Sequence, residues 1–265
     1  MKSLPPHMPM DPLAVDSPPR ARVDTLSGDY VIFQPEAGQR YTTDDMLAAW
    51  LAVETLRDSG LPATVFLDLG SGLCSVPMIL LWSFPSLRGL GVELRRERLM
   101  LGRQSLAANG LLPRFRLVRG DVRTAAFRRR FPLVTSSPPY YGAHQGPVSP
   151  DSEKAAARFE LNGTIEDYFR CAAEHLACGG FFVTVYPRRY AEKAFRAAEQ
   201  FRFSLDRRVD VFPGAAKPPL IALLAFVWDR PGRNSTETLT VRTAGGGFSE
   251  QYRTVRKQIG FPEPR

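Results

Sequence analysis

Two short stretches hold residue types that could do chemistry together: Asp68-Leu69-Gly70-Ser71-Gly72 and Ser137-Pro138-Pro139-Tyr140-Tyr141. In the first, Gly70 and Gly72 let the backbone approach a ligand closely. A helix opening after them would aim its N-terminus at a nucleotide-like group. Glu93, in Gly91-Val92-Glu93, could accept hydrogen bonds from both hydroxyls of a ribose. Asp121, after Gly120, could accept one from an adenine amine. A dinucleotide fingerprint wants glycine or alanine three residues after the second glycine. Ser75 stands there, and Asp68 ahead of the first glycine is equally atypical of a dehydrogenase. A single acid at a strand end is usually just solvated. Three acids after three successive strand candidates, together with the glycines, make a ligand site the better reading.

The second stretch suits a different task. Two consecutive prolines donate no backbone hydrogen bonds, but their carbonyls accept and their φ angles are fixed. An adenine or cytosine amine is a poor nucleophile, because its lone pair is delocalised into the ring. The Ser137 hydroxyl and the Pro138 carbonyl could hold both amine hydrogens and favour a pyramidal nitrogen. Pro139 would keep the loop rigid, and Tyr140 could stack on an extruded base. Such a site needs no strong base, since positioning supplies most of the acceleration. A proline-rich loop leaving a strand is a common object, but this one follows a complete set of ligand residues.

These groups must be held by the elements around them. Strands are expected at 64–67, Leu87–Val92, Phe115–Val118, Leu133–Ser136 and Phe181–Tyr186, with Val209–Phe212 and Ile221–Trp228 as a final pair. Between them fall helices over Cys74–Ser83, with Pro77 in its first turn, and over Arg95–Asn109, closed by Gly110. Thr164-x-x-Asp167 reads as a capping box opening a helix to about Ala177. Another helix follows at Ala191–Gln200. This alternation implies an α/β fold with a parallel sheet covered on both faces. Ligands of such sheets bind beyond the carboxyl ends of the strands, and each motif above follows a strand.

The chain of 265 residues suits one domain over 23–265, with a lead-in at 23–60, a C-terminal tail at 231–265 and a disordered proline-rich tail at 1–22. A formal charge of +8 favours a polyanionic partner. The three cysteines have neither disulfide-framework nor zinc-ligand spacing, so no metal is expected, and Cys74 and Cys171 read as core residues. No apolar run approaches the roughly 20 residues of a membrane helix, and no signal-peptide pattern opens the chain. A soluble cytoplasmic protein is expected.

The Asp-x-Gly-x-Gly stretch followed by acids after strands two and three resembles the cofactor site of class I methyltransferases. The resemblance implies a Rossmann-like, seven-stranded, mostly parallel sheet with an antiparallel last strand, and S-adenosylmethionine as cofactor. It places Asp68 near the methionine moiety, Glu93 on the ribose and Asp121 near the adenine. The second stretch resembles the Asn/Asp/Ser-Pro-Pro-Tyr/Phe signature of amino methyltransferases, which modify exocyclic amines of nucleic acids and glutamine amides.

Beyond these motifs the chain is similar to the bacterial tRNA(Val) adenine-N6 methyltransferases. Residues 39–47, with Thr43 and Asp44, resemble the segment that lines the cofactor pocket there. Tyr140-Tyr141 matches the doubled aromatic, and 207–214, 223–226, 239–242 and 249–252 resemble the closing strands and tail. The resemblance implies a tRNA substrate, with Tyr141, Arg188, Arg189 and Lys217 on the substrate rim. Ser137 departs from the asparagine or aspartate usual in adenine-N6 and glutamine enzymes. N4-cytosine or DNA-adenine methylation, release-factor glutamine methylation and a non-catalytic RNA-binding partner subunit therefore stay open.

Overall fold

The computed structural model describes residues 20–62, 64–138 and 163–262. Its first strands, β1 (Ala21–Thr25) and β2 (Val31–Pro35), form an antiparallel hairpin outside the main sheet. Helix α1 (Thr43–Ser59) follows. Asp45 receives the Thr42 N–H at 3.0 Å, so a carboxylate closes the first turn of α1 where the helix dipole favours negative charge.

Next come β3 (Val65–Leu69), α2 (Ser75–Ser83), β4 (Arg88–Glu93), α3 (Arg96–Ala108), β5 (Phe115–Arg119) and β6 (Phe131–Ser136). Helix α4 (Ile165–His175) leads into the long strand β7 (Leu176–Pro187). Thr164 N–H donates to Asp167 at 3.0 Å, the capping interaction expected there. The helix stops at His175, because the chain turns directly into β7. Gly179-Gly180 therefore lies within a strand instead of ending the helix. A 3-10 turn (Arg188–Tyr190), α5 (Ala191–Gln200), β8 (Phe203–Phe212), β9 (Ile221–Trp228), β10 (Ser235–Thr240) and α6 (Glu250–Gln258) complete the described chain.

The main sheet has the order β10-β8-β9-β7-β6-β3-β4-β5. Strand β9 is antiparallel to both its neighbours, and all other pairs are parallel. The expected seven strands with an antiparallel last member are β3 to β9. The correction is an eighth strand, β10, which pairs parallel to β8 at the edge. Its only buried side chain is Leu239, so alternation alone marks it weakly as a strand. It is held instead by contacts made across the fold. The Arg207 guanidinium is bidentate on Glu237 at 2.8 and 2.9 Å and stacks over Trp50.

Helices cover both faces. One core packs α1, α2, α3 and α6 against the sheet. The other packs α4 and α5 around an aromatic cluster in which Phe169 meets Phe182, Phe203 and Phe226 edge-on. Cys74 and Cys171 are buried in these cores, and burial pushes the Cys171 thiol up to about 12. Both are therefore protonated packing residues.

Candidate cofactor and substrate cleft

All parallel strands of the main sheet end on one edge, and a cleft opens there above β3, β4 and β6. It encloses about 1140 Å³, open solvent at its mouth included. Its walls come from six parts of the chain: 39–42 with Asp44 and Asp45, residues within 68–76, residues within 92–98, Gly120 with Val122, Ser137 with Pro138, and Tyr168.

The floor is the turn after β3. Gly70 and Gly72 both take left-handed φ angles, +73° and +53°, which side-chain-bearing residues adopt only under strain. A Cβ on Gly70 would also stand 2.9 Å from the Tyr168 hydroxyl. The turn is pinned to β4 by Ser71 N–H donating to the Val92 carbonyl at 2.9 Å. It thereby presents backbone at the cleft surface.

Asp68 is buried at the end of β3. Strand pairing sets it beside Thr135 of β6, whose hydroxyl donates to Asp68 Oδ1 at 2.5 Å. Burial dominates over that hydrogen bond and lifts the carboxyl to about 7, with the nearby Asp45 and Glu93 charges adding to the rise. A cationic group placed beside Asp68 would be strongly favoured, since it would relieve a charge held out of water.

Glu93 is also buried, at the end of β4. One carboxylate oxygen accepts from Gly72 N–H at 2.8 Å and the other from Arg95 N–H at 2.7 Å. Each oxygen keeps a further acceptor site, so the carboxylate is fixed yet able to receive two hydroxyls.

Ser137 and Pro138 leave β6 directly into the same cleft. The preceding Ser136 turns the other way, with its hydroxyl 3.2 Å from that of Thr184 inside the sheet. Strand alternation thus sends one serine into the sheet and delivers the next to the cleft. Pro139, Tyr140 and Tyr141 lie outside the described residues.

No family profile matches the chain. Similar proteins are nonetheless found. The tRNA1(Val) (adenine(37)-N6)-methyltransferase of Escherichia coli O157:H7 is 27% identical over 78% of this chain and 82% of its own length. The protein of that name from Bacteroides thetaiotaomicron is 23% identical over 86% of this chain and 93% of its own length. Among solved structures, a protein from Agrobacterium tumefaciens described as a predicted O-methyltransferase superposes with a TM-score of 0.64 at 18% identity, covering 84% of this chain and all of that one. An S-adenosylmethionine-dependent methyltransferase from Clostridium acetobutylicum gives 0.52 at 14% identity, covering 71% and 92%.

The chain carries the class I methyltransferase fold. S-adenosylmethionine is the expected cofactor of such a fold, and the cleft fits it. Gly70 and Gly72 offer backbone without a Cβ, Glu93 offers two acceptors, and Asp68 is a buried carboxylate in want of a cation.

Within this cleft the sequence-predicted residues divide. Asp68, Gly70, Gly72, Glu93, Ser137, Pro138 and Asp44 share the wall. Thr43 does not, because α1 turns it to a neighbouring groove with Met46, Tyr252 and Arg256, whereas the nearby Thr42 and Asp45 face the cleft. Asp121 is not among the lining residues either. Its carboxylate is engaged bidentately by Arg123, which lowers its pKa, and its neighbours Gly120 and Val122 line the wall.

Arg188, Arg189 and Lys217 follow or join strands at the carboxyl edge, where Pro187 pairs with Ile221, but none lines the cleft. Arg188 Nε lies 3.0 Å from Asp210, Arg189 stacks over Tyr190, and Lys217 is exposed. Sequence reasoning missed Tyr168 and Arg98 as cleft residues, and it flagged the segment holding Asp45 without singling that residue out. Tyr168 sits one residue beyond the Thr164–Asp167 capping box, the single local signal that could have drawn attention to it.

Proposed function

We propose that the protein is an S-adenosylmethionine-dependent methyltransferase that modifies an exocyclic base amine, adenine N6 of a tRNA. The observation that carries this reading is the opening of Ser137 and Pro138 into the cleft walled by Asp68, Gly72 and Glu93. A base amine held by the first pair would lie beside a cofactor held by the second set. The tRNA1(Val) relatives, aligned over 78% and 86% of the chain, support the choice of substrate. So does the charge of +8.

The bound cofactor would supply an electrophilic methyl group. Asp68 would hold its ammonium group and Glu93 its ribose hydroxyls. The Ser137 hydroxyl and Pro138 carbonyl would accept the amine hydrogens and orient the nitrogen for transfer. Tyr140 is assigned to base stacking, and Tyr141, Arg188, Arg189 and Lys217 to the substrate rim, on sequence grounds. A second reading, N4-cytosine methylation, is favoured by Ser137 alone.

Incubation with labelled S-adenosylmethionine and total tRNA, with genomic DNA and protein extract as parallel acceptors, tests the proposal through nucleoside mass spectrometry. N6-methyladenosine in tRNA is expected. Methylcytosine would select the second reading. Label only in protein, or none with cofactor bound, would overturn both.

A further inference from the structure

Asp45 has no part in the function argued above, yet it stands in the cleft wall with Ser137, Pro138 and Asp68. It reaches that place from the first turn of α1, where its Oδ2 accepts the Thr42 N–H at 3.0 Å. That bond anchors the carboxylate. Ser137 shares the cleft wall with it; burial pushes the Asp45 carboxyl up, and the Thr42 N–H, the Ser137 hydroxyl and the Arg98 charge draw it back toward the ionised form. The charged groups facing Asp45 are Arg98 from α3 and Asp68 from β3.

A serine hydroxyl has one donor and two acceptor sites, and it rotates to suit its neighbours. An ionised carboxylate only accepts. Beside an ionised Asp45, the Ser137 hydrogen is committed to the carboxylate, and both Oγ lone pairs turn toward the cleft. Without that partner the hydroxyl could equally donate, which would leave an amine hydrogen facing a hydrogen. Charge-assisted hydrogen bonds are about twice as strong as neutral ones, so the orientation is well held.

We propose that Asp45 is a positioning residue that makes Ser137 an obligate acceptor, so that the Asp45–Ser137 pair does the work a single amide or carboxylate side chain does elsewhere. The pair also accounts for the proton. As the amine nitrogen bonds the methyl group and the sulfur–carbon bond breaks, the nitrogen must lose one hydrogen. Ser137 Oγ takes it while the hydroxyl hydrogen passes to Asp45, leaving a neutral methylated amine, a neutral thioether and a protonated carboxyl. This inference rests on the amine-methylation reading above.

A double-mutant cycle on the full chain tests it, with Asp45→Asn and Ser137→Ala alone and combined. Each protein is measured for kcat and KM on its nucleic-acid acceptor, for S-adenosylmethionine affinity by calorimetry and for Tm. The Asp45→Asn side chain keeps an acceptor oxygen for Thr42 N–H, so the helix cap survives. That variant is expected to lower kcat at least tenfold, with cofactor affinity within twofold of the parent. In the Ser137→Ala background the same change should cost nothing more, because the residue it acts through is gone. Multiplicative losses would overturn the proposal, and so would a loss confined to cofactor affinity. A parent protein that methylates no nucleic acid would overturn the amine-methylation reading first, and this inference with it, so the two failures are told apart.

Discussion

Asp68 shows how a single burial decides the behaviour of a site. Its carboxyl, at about 7 in the folded protein, lies above its ordinary value of 3.8, so the folded state holds a proton that the unfolded state has released. The stability contribution is thus fully present below about pH 4 and is lost as pH rises to about 7. Thermal unfolding followed across pH 5–8 should show this decline, and Asp68→Asn should flatten it. The cofactor-induced rise in Tm should be larger at pH 8 than at pH 6, since only the charged carboxylate gains from a bound cation.

Glu93 makes a complementary prediction. Replacement by alanine removes two anchored acceptors, each worth about 1.5–3 kcal/mol as hydrogen bonds to a charged group. It also releases Gly72 and Arg95 N–H. Cofactor affinity measured by calorimetry should fall by about 100-fold or more. Both acids were legible in the sequence, because a strand followed by an acid is a local pattern. Asp121 was legible in the same way, and its carboxylate also carries an ion pair with Arg123. Nothing in Gly120-Asp121 tells that Arg123, two residues on, will engage the carboxylate bidentately.

At the scale of elements, β4 is shaped by what it must let pass. A Cβ on Gly91 would stand 2.3 Å from the Ser71 hydroxyl and 2.7 Å from the Phe115 ring. Both neighbours are packed, so Gly91→Ala must push the Asp68–Gly72 turn away from the strand. Overpacking of this kind costs about 1–3 kcal/mol. Urea unfolding should show that loss, together with weakened cofactor binding.

The edge strand β10 depends on Leu239 for its apolar contact and on the Arg207–Glu237 pair for its polar one. Leu239→Ala should cost about 2–4 kcal/mol in the same measurement. The sequence shows 239–242 as part of a tail and does not show that it joins the sheet, because a strand with one buried residue has no alternation to read. The pairing of β3 with β6 likewise joins segments far apart in the chain.

At the scale of the whole molecule, some of the basic residues stand on the edge of the sheet where the cleft opens. Parallel strands bring their carboxyl ends to one edge, and the Arg188–Tyr190 turn and the loop bearing Lys217 lie on that edge with the cleft. Lys217→Ala should weaken tRNA binding without changing cofactor affinity. If it contacts a phosphate, the slope of log affinity against log salt should shrink by about 0.7–0.9. An unchanged slope in filter binding would remove Lys217 from the substrate rim.

The sequence by itself determined the alternation of strands and helices, the turn of Gly70 and Gly72, and the placing of Asp68, Glu93 and Ser137 at strand ends. These follow from periodicity, backbone freedom and capping, which act within a few residues. The tertiary structure alone decided which side chains meet. It put Asp45 in the cleft and Thr43 outside it, set Thr135 against Asp68, closed the wall with Tyr168 and added β10 to the sheet. Those outcomes depend on strand order, register and the rotation of α1 on the core, which bring together residues that no local pattern connects.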